Sequence, residues 1–370
     1  MTTGMQGLAG HQVSAGSSGG SDPALFTQAV QIPDMLSWNA AEIAGYTWPI
    51  GHEGQVIRIG QTLYCYGGGA RGGATHAKIY STAWSDPKGW VDTGQVLPMS
   101  MLRPRIVMVN SNLLLFGDAA NATLNIYSTP VTTPLTWGAS IGTVPLRRDT
   151  AQVVIVEGKA AIHKGHSGAA GIGTTDICAD VVGAPATWAT DARNNGASWE
   201  CSHAAVYGKI MVCAGAGTPA AYYLGPAGDP GGLTLTNASG AFTQNGTPGV
   251  IHVGNSLWIL GTATTTQSEV PVTDQGVYHT GVHLQNAVQP VALVYSTANW
   301  WIGPTGILYV PQDSTGKVYS TKTKTIYIQP EAIPSTRTVD AYDAYGNKTH
   351  YTRSCRLGFA EWRTNRLDVI

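Results

Sequence analysis

A two-strand pattern recurs six times along this chain at almost constant spacing, and few folds accept such a period. The copies are QVIRIGQTLYCYG ending at Gly67, RIVMVNSNLLLFG at Gly117, QVVIVEGKAAIHKG at Gly165, HAAVYGKIMVCAG at Gly215, GVIHVGNSLWILG at Gly261 and NWWIGPTGILYVP at Pro311. The steps between these end positions are 50, 48, 50, 46 and 50 residues, which marks a repeat architecture. Each copy is an apolar run, a tight turn of Gly, Asn, Ser or Lys, and a second apolar run. That is the pattern of a β-hairpin. Both runs are apolar with little alternation, so the strands are expected to be covered on both faces, as in a radial stack of sheets.

A second spacing supports this. Tyr80 precedes Trp90 by ten residues, Tyr127 precedes Trp137 by ten, and Cys178 precedes Trp188 by ten; Tyr223 and Leu233 keep the distance with a weaker pair. Each unit therefore holds a second hairpin whose large side chains pack between neighbouring sheets. Gly after the second strand, then Tyr, then Trp, in units of about 50 residues, resembles the kelch-type (galactose-oxidase-like) β-propeller over roughly residues 38 to 329. The chain departs from that family in keeping the Gly-Gly pair only at Gly67-Gly68 and in losing the Trp from copies five and six. The resemblance implies an all-β, six-bladed β-propeller, with seven blades as the alternative count.

The expected organisation has three parts: an extended Gly/Ser-rich arm over 1–36, the propeller over 37–329, and a C-terminal extension over 330–370. Trp38 lies 52 residues before Trp90, one repeat step, with no hairpin ahead of it. This predicts that the N-terminal segment supplies an outer strand to the last blade and so closes the ring by β-pairing. The extension holds a predicted hairpin around Tyr345-Gly346-Asn347-Lys348, followed by Arg353, Arg356, Arg363 and Arg366 as a capping or docking element.

Only 12% of residues are charged, against about 25% in a typical soluble protein, so the surface is expected to be Ser, Thr, Asn, Gly and Ala. A formal net charge of −1 and the lack of a Lys/Arg run argue against a nucleic-acid partner. Residues 1–22 have neither the basic start nor the apolar core of a signal peptide, and they form no membrane span. The five cysteines form no CxxC-type pair, and Cys65 and Cys213 read as small buried hydrophobes.

Chemistry-bearing motifs are sparse. His279 and His283 are four apart, which in a strand places them about 13 Å from each other, too far for one ion. No cofactor or metal is called for. Arg103, Arg105, Arg147 and Arg148 sit just before the first strands of the second and third copies, with His52 and Glu200 at comparable positions in the first and fourth. All six are expected at one mouth of the central channel, where guanidinium groups could hold a carboxylate or a sialic-acid-like sugar bidentately. Asp118, Asp149, Glu157, Glu200 and Asp313 lie near predicted strand ends, but nothing selects a catalytic pair from them. The stretch Ser85-Asp86-Pro87-Lys88-Gly89-Trp90 touches the sialidase aspartate box with the wrong spacing and reads as a turn between two outer strands.

Taken together, these features resemble bacteriophage adhesins and decoration proteins that carry propellers. The resemblance implies a non-enzymatic virion component, in the tail or on the capsid, that contacts other virion proteins through the N-terminal arm and the C-terminal extension, with a host surface glycan as a further expected partner. The alternative is a glycan-binding lectin or glycoside-active enzyme working at the channel mouth.

Overall fold

The computed structural model describes residues 28–48, 54–69, 75–101, 104–117, 125–145, 153–156, 159–163, 166–167, 170–171, 174–191, 201–206, 209–214, 221–224, 236–238, 249–253, 256–260, 266–273, 276–277, 285–288, 300–311, 316–328, 341–342 and 348–349. No described residue is helical. Accordingly, no helix among them is long and apolar enough to cross a membrane. The first strand, β1 (Gln28–Trp38), stands apart from those that follow it. Four consecutive strands then form the first sheet: β2 (Gln55–Ile59), β3 (Thr62–Gly69), β4 (Thr75–Ala83) and β5 (Val91–Met101). The second sheet repeats the order with β6 (Arg105–Val109), β7 (Asn112–Gly117), β8 (Asn125–Pro130) and β9 (Ser140–Thr143).

In the third, β10 (Val153–Val156) and β11 (Lys159–His163) pair with β14 (Thr175–Cys178) and β15 (Trp188–Asp191); the small hairpin β12 (His166–Ser167) and β13 (Ala170–Gly171) lies between them in sequence. The fourth comprises β16 (Cys201–Val206), β17 (Lys209–Ala214), β18 (Ala221–Leu224) and β19 (Thr236–Ala238). The fifth has β20 (Gly249–Val253), β21 (Ser256–Leu260) and β22 (Thr266–Thr273), with both β23 (Gly276–Val277) and β24 (Gln285–Val288) on β22. The last sheet holds β25 (Trp301–Ile302), β26 (Leu308–Pro311) and β27 (Val318–Ile328), and its fourth strand is β1. A separate hairpin, β28 (Ala341–Tyr342) with β29 (Lys348–Thr349), brackets the turn expected around Tyr345.

Turn chemistry sets these registers. In the first five copies the hairpin strands meet across two residues: Ile59 opposes Thr62, Val109 opposes Asn112, Val156 opposes Lys159, Val206 opposes Lys209, and Val253 opposes Ser256. Asn110 and Ser111 both take positive φ, 47° and 66°, the geometry of a hairpin turn whose twist matches the strands it joins. The sixth copy differs because GPTGI intervenes. There Ile302 opposes Leu308 and the Gly303 N–H donates to the Ile307 carbonyl at 2.9 Å.

Gly67 accounts for the repeat's terminal glycine. It adopts φ 58° at a bulge, and a Cβ there would lie 3.1 Å from Leu97 Cδ1 and 3.2 Å from the Met101 carbonyl. A side chain at this position meets both backbone strain and a neighbouring strand.

Burial falls from the second strand outward. Leu113, Leu114, Leu115 and Phe116 on β7 are fully buried, while Val91 and Val96 on β5 are exposed. The second strands β3 and β7 are thus covered on both faces, as their unbroken apolar runs imply. Leading strands pack along the series: β25 contacts β2, β6 contacts β10, β10 contacts β16 and β16 contacts β20. Apolar cores fill the seams between sheets. Ile57, Tyr66, Ile79, Leu97 and Met101 of the first sheet pack on Ile106, Leu113, Leu115 and Tyr127 of the second. Val109, Leu114, Phe116, Ile126 and Val144 meet Val153, Ala160, Ile162, Cys178 and Val181 of the third region. The arrangement is an all-β, propeller-like set of antiparallel sheets.

The N-terminal strand joins the C-terminal sheet, with Gln28 opposite Ile328 and Trp38 opposite Thr321. The boundary expected after residue 36 therefore falls inside β1, and pairing starts at Gln28. Pro33 lies within this strand. Proline is tolerated because β1 is the edge strand of its sheet, where a missing N–H breaks no ladder on the open side.

Candidate functional site

Of the channel-mouth residues proposed from sequence, one is described, and it lies at the leading end of a first strand. Arg105 opens β6 opposite Phe116 and is half-buried, with its Nη1 donating to the Pro104 carbonyl at 3.2 Å. His52, Arg103, Arg147, Arg148 and Glu200 lie outside the described residues, as do Asp118, Asp149, Glu157, Asp313, His279 and His283.

Gln55 opens β2 as Arg105 opens β6, and sequence reading passed over it. Its side chain is buried and spans the seam: Nε2 donates to the Ile106 carbonyl at 2.7 Å and Oε1 accepts from the Ile106 N–H at 2.6 Å. One amide thus imitates a strand partner between two sheets whose backbones are not hydrogen-bonded to each other. The available signal was a lone polar residue heading an apolar run.

A second assembly lies in the seam between the last and first sheets. Trp48, Val56, Leu63, Cys65, Trp84, Trp301 and Val318 form its core, with Tyr46, Tyr80, Trp90 and Tyr309 packed against it. Four rings stand nearly parallel in a column. Tyr46 stacks on Tyr309 with centroids 5.7 Å apart, Tyr309 on Trp301 at 5.6 Å, and Trp301 on Trp48 at 6.1 Å, with interplanar angles of 2°, 8° and 15°. Trp90 meets Trp48 and Trp301 edge-on at 5.3 and 5.8 Å. Offset stacks and T-shaped pairs both suit the quadrupoles of aromatic rings.

Local structure positions each ring. The backbone of 39–48 runs beside β27, with Asn39 N–H donating to the Ser320 carbonyl, Ile43 N–H to that of Val318 and Trp48 N–H to that of Gly316. Trp301 and Tyr309 face each other across the β25–β26 ladder. Ser85–Trp90 forms the expected turn between β4 and β5 and carries Asp86, Lys88 and Trp90 to the seam. Trp84, ahead of that turn, donates from Nε1 to the Ile302 carbonyl at 2.8 Å, and the Arg58 guanidinium lies 3.2 Å over its ring.

The outer end of the column is polar. Tyr46 Oη donates to Asp86 Oδ1 at 3.4 Å, Lys88 Nζ lies 3.4 Å from the same oxygen, and that ammonium sits 5.7 Å above the Tyr46 ring. Asp86 and Lys88 are exposed. The Tyr46 phenol is pushed up to about 12, first by burial and then by the neighbouring Tyr309 and Asp86. Burial also raises the Tyr309 phenol. Behind them the indole Nε1 atoms of Trp48, Trp90 and Trp301 are buried and donate to no partner. Buried donors of this kind are rare and call for an explanation.

This arrangement can stack and hydrogen-bond a ligand; it offers no activated nucleophile. Burial pushes up the thiols of Cys65 and Cys178, so neither is a thiolate near neutral pH. Desolvation holds the His76 imidazole below its ordinary value. Among the described residues, no three His, Cys, Asp or Glu side chains come together as a metal set.

No protein-family model matches the chain, and no curated protein matches it in sequence. Its fold is similar to that of the solved structure described as "Structure of YjhT", with a TM-score of 0.50 and 13% identity, over 78% of this chain and 98% of that one. At that identity the likeness concerns the fold alone.

Proposed function

We propose that the chain is a six-bladed, kelch-like β-propeller acting as a non-enzymatic structural and receptor-binding component of a virus particle, a bacteriophage tail or capsid decoration held through its termini. The observation that carries this reading is the pairing of Gln28 with Ile328. Residues 1–27 and 329–370 thereby leave one end of one sheet side by side, so a single attachment point can use both. The repeat spacing and the series of four-stranded sheets support the blade count. A charge-poor chain of net charge −1 supports a protein–protein role over a nucleic-acid one.

The test is to fractionate the native source by size and identify by mass spectrometry what travels with the chain, comparing full length with versions lacking 1–27 or 329–370. The expected result is co-migration with a large particle that is lost with either segment. A free monomer in every case overturns the anchored-component reading. Electron-microscopic views along the ring axis decide six blades against seven.

A further inference from the structure

We propose that the seam between the last and first sheets is a saccharide-binding ledge, with Tyr46 as its stacking platform and Asp86 and Lys88 as its hydroxyl-reading pair. This rests on the receptor-binding reading above and gives it a site and a ligand class. The other candidate, the channel mouth, has only Arg105 among its described residues, and that guanidinium is bonded to the adjacent Pro104 carbonyl.

Two observations favour a neutral pyranose. First, Tyr46 is the terminal ring of a stacked column. One of its faces rests on Tyr309; Lys88 is the only cation seen over its ring among the described residues, and its exposed, flexible side chain can move aside. A rigid aromatic face packs against the C–H face of a sugar ring, and the column behind it fixes its orientation before any ligand arrives. Second, Asp86 accepts and Lys88 donates, which suits hydroxyls that do both, and their charges cancel. A site with no net charge gains little from an anion or a cation.

The full-length protein is titrated with methyl β-glucoside, lactose and chitotriose, read by tryptophan emission and calorimetry, with choline chloride and N-acetylneuraminate as ionic comparisons. At least one neutral saccharide is expected to saturate, with a Kd of about millimolar for so small a contact. Tyr46→Ala and Asp86→Ala should each weaken it by about tenfold or more, while Tyr46→Phe, which keeps the platform, stays within about threefold. Asp86 is on an exposed turn, so its variant reports on binding even if Tyr46→Ala loosens the seam. The proposal is overturned if no neutral saccharide saturates by about 100 mM, if only an ionic probe does, or if both variants bind as the wild type. Binding lost in Arg105→Ala but kept in Asp86→Ala moves the site to the channel mouth and also overturns it. Saccharide binding and particle association fail separately: an Asp86→Ala chain that travels with the particle leaves the anchoring intact, and a free monomer that binds sugar leaves the ledge intact.

Discussion

The seam that joins the last sheet to the first is built of different material from the one between the second and third. In the latter, aliphatic side chains dominate, and the indole of Trp188, edge-on to Phe116, donates to the Pro185 carbonyl. The closing seam is a column of Trp and Tyr rings in which three indole donors have no acceptor. The separations along the chain differ as well: the Trp84–Ile302 bond links residues 218 apart, whereas Gln55 reaches Ile106 across 51. That fourfold difference adds only about 1.2 kcal/mol of loop-closure entropy. Burying one tryptophan contributes about 3–5 kcal/mol by truncation measurements, so the aromatic seam exceeds what closure alone demands. The excess aromatic surface ends at Tyr46, beside the exposed Asp86 and Lys88, which is why the ligand argument belongs to this seam.

The strongest test of the comparison removes the closing strand. A chain beginning at residue 39 lacks β1 and bares the edge of β27. It should lose a cooperative thermal transition by circular dichroism, while a chain beginning at residue 28 keeps it. Equal melting of the two would mean that closure contributes nothing. Next in size, Trp301→Ala should cost about 3–5 kcal/mol in chemical denaturation, since the ring is fully buried between Tyr309 and Trp48. Leu114→Ala, in the aliphatic seam, should cost less within its range of about 2–5 kcal/mol. If Leu114→Ala proves the costlier, the closing seam is not the stronger one.

Gln55→Ala sharpens the contrast from the first-to-second seam. It leaves the Ile106 N–H and carbonyl without their partner, at about 1–3 kcal/mol. A neutral result would mean that solvent replaces the amide. The smallest effect concerns pH. Tyr46 ionises later folded than unfolded, so the folded state holds an extra proton between about 10 and about 12 and stability falls as pH rises through that window. Because Tyr46 is partly exposed, solvent screening reduces the loss to on the order of 1 kcal/mol. Tyr46→Phe should remove both this loss and the late-titrating phenol in an ultraviolet titration. An unchanged titration would mean that Tyr46 ionises like a solvent-exposed phenol.

Much of the architecture could be read from local chemistry. Two-residue turns at Gly60-Gln61 and Asn110-Ser111 between unbroken apolar runs specify hairpins without reference to the rest of the chain. The ten-residue Tyr80–Trp90 and Tyr127–Trp137 steps reflect a third strand and the approach to a fourth, again over short range. The hairpin around Tyr345 was legible for the same reason. That the N-terminal segment joins the last sheet was legible from the Trp38–Trp90 step, but its start at Gln28 was not, because Pro33 is acceptable only on an edge that exists once β27 lies beside it. Gln55 looked like an ordinary strand residue until the second sheet brought Ile106 within 2.7 Å.

The sequence by itself determined the repeat, the hairpin registers and the all-β class, since period, turn residues and strand polarity act within a few neighbouring positions. Only the tertiary structure decided that Tyr46, from the N-terminal part, stacks on Tyr309 and meets Asp86. Those three residues lie in different units, and no local propensity records which sheet will become another's neighbour. Their proximity follows from β1 pairing with β27, a long-range contact that draws the 39–48 segment alongside Trp301 and the turn after β4.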